Sequence, residues 1–276
     1  MIYTLHDYLV TQLKDTNNGL VGAWVNDTKF AIQNIVDSSV GNIVGTNYSV
    51  NKDNPNQLGH SQDSSTTTSG DCVDTGSEKF GNVDFSTIGS QPFSVITVFK
   101  FNATGGTGCI CAKASAASGA SFYIRRQNST TWPAIMLHGT DNGLGWWNNA
   151  AGVGDGIHTI GLTFDGSTAN AYGDDDKETL GLSVGATALQ SANFSFLART
   201  PTSPGFTANA VNYVTLVFDR AIEKDFYLEL EHNIYLPFDD FLNDQEEWAG
   251  SFYFDQQADA SAFSYNPNRR RLRTAA

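Results

Sequence analysis

Chemistry-bearing residues are sparse in this chain. The stretch that offers most is Asp141-Asn142-Gly143-Leu144-Gly145-Trp146-Trp147-Asn148-Asn149. Indole faces stack on the apolar face of a pyranose, and Asp and Asn side chains exchange hydrogen bonds with its hydroxyls. Small-ligand sites combine these groups. Asp141, Asn142, Trp146, Trp147 and Asn148 are therefore the candidate glycan-binding residues, expected on a loop. The competing reading is that one Trp packs in the core, as indoles commonly do, while the polar residues make turns.

The acidic residues point less clearly to a reaction. Glycoside hydrolysis needs two carboxylates held across a glycosidic bond, and on a strand this takes alternating positions. Glu223-Lys224-Asp225 with Glu229 and Glu231 approaches that pattern, but Phe226 and Tyr227 stand where a third carboxylate belongs. Ile222, Phe226 and Leu230 recur every fourth residue, which predicts a helix from Ala221 to about His232 and would scatter the carboxylates. Neither a nucleophile elbow nor a phosphate loop is present. The five histidines lie far apart in the sequence, and His158 reads as a structural residue rather than a base. No catalytic residue is assigned, and the chain is expected not to be an enzyme.

Metal and cofactor chemistry is equally faint. Asp174-Asp175-Asp176 with Glu178 could ligate calcium, yet the spacing is not that of a specific loop, and acidic hairpin tips are commonly just solvated. Of the three cysteines, Cys109 and Cys111 are predicted on one strand face, a poor disulfide geometry, and Cys72 completes no Cys-x-x-Cys pair. Buried, reduced thiols are the expectation, with no metal and no cofactor.

The elements that must position these residues are strands. The chain is 40% hydrophobic and 16% charged, with 26 Gly, 18 Phe and 10 Tyr, which suits short strands and tight turns rather than helices. Phe93 to Phe101 alternates, with Phe93, Val95, Thr97, Phe99 and Phe101 on one face and Ile96 and Val98 on the other. Further strands are expected at 19–24, 108–112, 121–126, 134–138, 158–164, 168–173, 194–197 and 211–219. Residues 53–81 read as a long polar loop, and residues 1–18 as a helical arm on Ile2, Leu5, Leu9 and Leu13. The sandwich is placed at 19–238 and a C-terminal extension at 239–276.

A net charge of −13 argues against a general grip on nucleic-acid phosphates. No stretch has the roughly twenty apolar residues of a membrane span. The start lacks a basic and apolar leader, so no secretory route is expected. In the extension, Trp248, Phe252 and Tyr253, then Arg269, Arg270, Arg271 and Arg273, are candidate partner-docking residues. The alternative for the arginines is a solvated terminus.

The hairpin Gly156-Ile157-His158-Thr159-Ile160-Gly161-Leu162-Thr163-Phe164-Asp165-Gly166-Ser167-Thr168-Ala169-Asn170-Ala171-Tyr172 resembles a motif of concanavalin A-like, laminin-G-like jelly rolls. In these a His-Thr pair opens a strand and an Asp-Gly turn reverses it. Gly19–Trp24, Phe93–Phe101 and Val214-Thr215-Leu216-Val217-Phe218-Asp219-Arg220-Ala221-Ile222 are similar to the family's opening, middle and final strands. The resemblance implies an all-β jelly-roll β-sandwich with short terminal helices. Relatives with the strand-Asp-Arg-Ala-Ile ending resemble bacteriophage structural or host-recognition proteins. It therefore implies a virion decoration or fibre subunit whose partners are other virion proteins or its own copies. The alternative is a lectin module for bacterial surface polysaccharide; a jelly-roll glycoside hydrolase is third.

Overall fold

The computed structural model describes residues 19–25, 34, 36, 42–44, 49–50, 62–64, 72–76, 79–80, 83–84, 91–101, 108–114, 120–126, 133–137, 140–143, 158–173, 176–180, 193–196, 210–231 and 234. They form two main antiparallel sheets. In spatial order the first holds Asp176–Leu180 (β15), Ala169–Gly173 (β14), His158–Phe164 (β13), Phe93–Phe101 (β8), Ala210–Phe218 (β17), Gln62–Ser64 (β4) and Ser49–Val50 (β3). Leu20–Val25 (β1) pairs along the other part of β17. The second sheet runs Thr140–Gly143 (β12), Pro133–Leu137 (β11), Ala120–Arg126 (β10), Gly108–Ala114 (β9), Phe194–Phe196 (β16), Cys72–Asp74 (β5) and Asn42–Val44 (β2). Lys79–Phe80 (β6) and Val83–Asp84 (β7) make a separate ribbon.

The interior between the sheets is where the alternation read from the sequence leads. Phe93, Val95 and Phe99 of β8 join Ile160, Leu162 and Phe164 of β13, facing Ile110, Phe122, Ile124, Phe194 and Phe196 of the other sheet. Trp24 lies flat on Phe194 at 5.8 Å and edge-on to Phe196 at 5.4 Å, so one indole of β1 ties the two sheets together. One polar island is buried in this face. Thr97 and Thr215, directly opposite, bring their hydroxyls to 3.1 Å, and the Asn212 amide donates to them at 3.2 and 3.1 Å. The hydroxyls and amide satisfy one another, which is what makes their burial tolerable.

β8 and β17 are apolar on both faces because both faces are covered. Outside the sheet, Ile96, Val98, Val214, Leu216 and Phe218 meet Ile222, Tyr227, Leu230 and Ile234. Residues 224–231 form a helix (α1). The described helical residues, 224–231 and 234, rely on packing against the sheet, because short helices are marginal alone in water. A stripe counted in fours through Ile222, Phe226 and Leu230 would turn Phe226 inward, but Tyr227 is the fully buried aromatic, while Phe226 is half-buried. Counting fours from Ile222 fails because Ile222 precedes the helix. From Tyr227 the inward face runs 227, 230, 234, the spacing of a helical stripe.

The turn from β17 into α1 is clamped by its neighbours. Ser94 of β8 donates its hydroxyl to the Arg220 carbonyl at 2.8 Å and accepts from the Ile222 N–H at 3.0 Å. The Asp219 N–H donates to the Gly19 carbonyl at 2.9 Å. Gly19 sits at φ +81, and a Cβ there would lie 2.6 Å from Asp219 Oδ1. The Arg220 guanidinium lies 4.5 Å from the centre of the Phe226 ring. These contacts give the Asp-Arg-Ala-Ile ending a local physical purpose.

Two other expectations are corrected. The supposed loop 53–81 contributes β4 and β5 to the sheets and β6 to the ribbon; these runs of two or three residues are too short to show alternation. Cys109 and Cys111 do not share a face. Ile124 pairs with Cys111 and Arg125 with Cys109, so β9 carries an extra residue there and its alternation flips. Cys111 faces the sandwich interior with Ile110, whereas Cys109 clusters with Ala112, Ala114 and Tyr123 outside. Both thiols are buried and neither is in a disulfide; burial first, then neighbouring Cys109, pushes the Cys111 thiol up.

The β13–β14 hairpin closes through residues 165–168. Asp165 Oδ1 accepts from the Thr168 N–H at 2.7 Å and from the Ser167 N–H and hydroxyl at 2.8 Å each, with Gly166 at φ +99. These donors, the Thr168 N–H first, hold the Asp165 carboxyl below its ordinary value of 3.8. The folded-state value being the lower, the turn's contribution is whole above the ordinary value and is lost as pH falls through the folded one. In an NMR pH titration the Asp165 carboxyl should therefore titrate below unbonded aspartates, with the Ser167 and Thr168 amides moving alongside it. Titration at the ordinary aspartate value contradicts the bonding.

Candidate functional site

Two of the five glycan candidates, Asp141 and Asn142, fall at one edge of the second sheet. Asp141 and Asn142 lie not on a loop but in β12, the outermost strand, opposite Met136 and Ile135 respectively. The correction has a simple cause. Thr-Asp-Asn-Gly is turn-like in composition, but an edge strand needs only one partner, and four consecutive pairs to β11 suffice to hold it. Trp146, Trp147 and Asn148 lie outside the described residues, as do Trp248, Phe252, Tyr253, Arg269, Arg270, Arg271 and Arg273 and the proposed arm 1–18.

Register places Asp141 in a row with Met136, Tyr123, Ala112, Ser195 and Asp74 across the sheet. The next row towards the end of the strands joins Gly143, Ala134 and Arg125. Phe122 and Ile124 of β10 point into the core, so Tyr123 belongs to the opposite, outer face, clustered with Cys109, Ala112 and Ala114. The Arg125 guanidinium lies 5.5 Å from the centre of the Tyr123 ring. The outer face of this sheet thus joins a floor of small side chains to an aromatic ring and a cation, in line with the strand that carries Asp141. Sequence reading passed over Tyr123 and Arg125. Their alternation with Phe122 and Ile124 was the available signal.

The acidic set of the final segment is elsewhere. Glu223, Asp225 and Glu229 are exposed at or on α1, packed against the outer face of the first sheet, while Glu231 is buried. The helical segment does not present them in strand alternation. Tyr172, its ring tilted against that of Tyr227 with centres 5.5 Å apart, has its phenol pushed up by burial first and then by Glu223. His158 is half-buried at the start of β13, opposite Phe99, with ring centres 6.3 Å apart. Asp176 opens β15; Asp174 and Asp175 lie outside the described residues. Among the described residues no three His, Cys, Asp or Glu side chains gather to hold a metal, and no helix is long and apolar enough to cross a membrane.

No protein-family model matches the sequence, and no curated protein matches it. Solved structures do. The chain is similar to Trypanosoma rangeli sialidase in complex with sialic acid, at 12% identity and TM-score 0.54, over 79% of this chain and 33% of the sialidase. It is similar to a receptor binding domain at 13% identity and TM-score 0.54, over 81% of this chain and 53% of that one. A third similar structure comes from work titled "Cell entry of botulinum neurotoxin type C is dependent upon interaction with two ganglioside molecules", at 13% identity and TM-score 0.54, over 80% and 53%. The chain spans a third of the sialidase and about half of the other two. At these identities the likeness concerns the fold, and with the two sheets described above it establishes an all-β sandwich.

Proposed function

We propose that this sandwich is a non-enzymatic glycan-recognition unit. The carrying observation is the edge of the second sheet: β12 sets Asp141 in the register row of Tyr123, beside the row of Arg125 on the outer face. The chain continues from that strand into Trp146-Trp147-Asn148, and so supplies stacking and hydrogen-bonding groups in succession. The titles of similar folds name sialic acid and gangliosides, which favours a carbohydrate over other small ligands. The carboxylates of α1 lie on the first sheet, away from this edge, which favours binding over hydrolysis. Wild-type protein on a glycan array should give signals that disappear when Trp146→Ala and Trp147→Ala are combined. An array with no wild-type signal above background sinks the reading.

The biological setting we propose is a virion: a laminin-G-like jelly roll serving as a capsid-surface or fibre subunit, made in the host cytoplasm. The Asp219-Arg220-Ala221-Ile222 ending and the aromatic and basic residues after Trp248 support it. Removing the residues after Trp248 should leave the sandwich folded by circular dichroism and abolish co-assembly with other virion proteins or with itself. Normal incorporation of the shortened chain overturns the docking role.

A further inference from the structure

β17 pairs with β8 in two parts. Ala210, Val211 and Asn212 lie opposite Phe101, Lys100 and Phe99, and Val214 to Phe218 lie opposite Val98 to Ser94. Tyr213 is therefore an extra residue, and the strand carries a bulge there. Without the bulge the first pairing would run on. Val214 would then fall opposite Thr97, Leu216 opposite Val95 and Phe218 opposite Phe93. Those three side chains would enter the interior, while Thr215 and Val217 would turn towards α1. Apolar burial does not choose between the two registers. Val214, Leu216 and Phe218 are fully buried on the outer face as they stand, and they would leave water on the inner one as well. Hydrophobicity sets register firmly where one face is wet, and β17 has both faces covered.

The polar groups do choose. In the bulged register Thr215 lies opposite Thr97, with the hydroxyls 3.1 Å apart. The amide of Asn212, just before the bulge, donates to both at 3.2 and 3.1 Å. The Thr97 hydroxyl donates to the carbonyl of Val214, just after the bulge, at 3.3 Å. These bonds therefore span the bulge from both sides. In the straight register Thr97 would face the apolar Val214 side chain, and Thr215 would leave the interior. Buried hydroxyls and an amide would lose their partners, which is more costly than never having had them.

We infer that Thr97, Asn212 and Thr215 are a register lock: they hold the bulge of β17 and so decide which of its faces meets α1. The test replaces all three by apolar residues, Thr97→Val, Asn212→Leu and Thr215→Val together. Cross-strand NOEs between β8 and β17 then report the register. In the wild type, position 97 should contact position 215 across the strands. In the triple variant a second set of amide resonances should appear for residues 214–218, populated to about a tenth or more, with position 97 opposite position 214. Thr97→Ser with Thr215→Ser keeps the hydroxyls and should keep a single set. Ser94 is unchanged in every variant, so its hold on the turn before α1 is common to all. A triple variant that shows the wild-type contacts alone overturns the lock. If the triple variant does not fold, Asn212→Ala, which removes only the amide, decides by the same NOEs. It should show the second set; a single native register there overturns the lock. So does failure of both variants to fold, because the trio would then supply stability rather than choose a register.

Discussion

Trp24→Ala should destabilise the protein by about 3–5 kcal/mol, the range for deleting a buried large aromatic side chain. Domains of ordinary stability have only about 5–15 kcal/mol in hand, so the variant should unfold at much lower denaturant. Trp24 is 2% exposed and belongs to the first sheet, while its ring partners Phe194 and Phe196 belong to the second. Phe194 in turn stacks on Phe122 at 5.7 Å, so removing the indole leaves one end of a three-ring column without support. Gly22 leaves the space above Val217 to the indole: a Cβ there would lie 2.9 Å from the Trp24 ring. Trp24→Phe keeps a ring on Phe194 and should lose much less, which protects the test if the alanine variant does not fold. Urea melts that coincide with wild type would show that the column does not couple the sheets.

The second large effect is expected at the helix. Tyr227→Ala should cost a similar 3–5 kcal/mol, because the ring is fully buried and its hydroxyl donates to the Thr159 carbonyl at 3.1 Å. The partner position shows why the ring sits there. A Cβ on Gly161 would come within 2.7 Å of Tyr227 Cδ2, so glycine makes room for the tyrosine on β13. Gly161→Ala should therefore cost about 1–3 kcal/mol by overpacking. In the Tyr227→Ala background the same change should cost nearly nothing, because the clash is gone. Chemical denaturation of the four proteins gives the coupling directly. Additive costs contradict the packing, and amides of residues 224–231 should lose hydrogen-exchange protection in Tyr227→Ala if the ring is what holds the helix.

Parts of this arrangement were legible in the sequence because they depend on local pattern alone. The alternation of Phe93 to Phe101 assigned its two faces as found, with Phe93, Val95 and Phe99 inward and Ile96 and Val98 outward. The Asp165-Gly166 reversal needed only its own residues. What escaped depends on partners distant in sequence. The bulge that separates Cys109 from Cys111 is set by the strand beside it, and Tyr227 was overlooked because its place is decided by a glycine 66 residues away. At the candidate site the residue types were readable, but Asp141 and Asn142 became strand only because β11 is there to pair with. The trio of Thr97, Asn212 and Thr215 appears only once β8 and β17 are in register.

The pairing of β17 has a consequence for how the chain can be made. β17 lies not at an edge but between β8 on one side and β1 and β4 on the other. Until Phe218 has emerged from the ribosome, β1 lacks the strand it pairs with, β4 has only the two residues of β3, and the apolar outer side of β8 has no helix. The contacts that complete the sheet join residues almost 200 positions apart, Leu20 with Phe218 among them. Topologies of this kind fold slowly, because long loops must close before the pairing rewards them. The strands made before residue 210 must therefore wait for β17 before the sheet can close. Chains cut short before residue 210 should expose two unpaired strand edges and accumulate as aggregates rather than as smaller folded proteins.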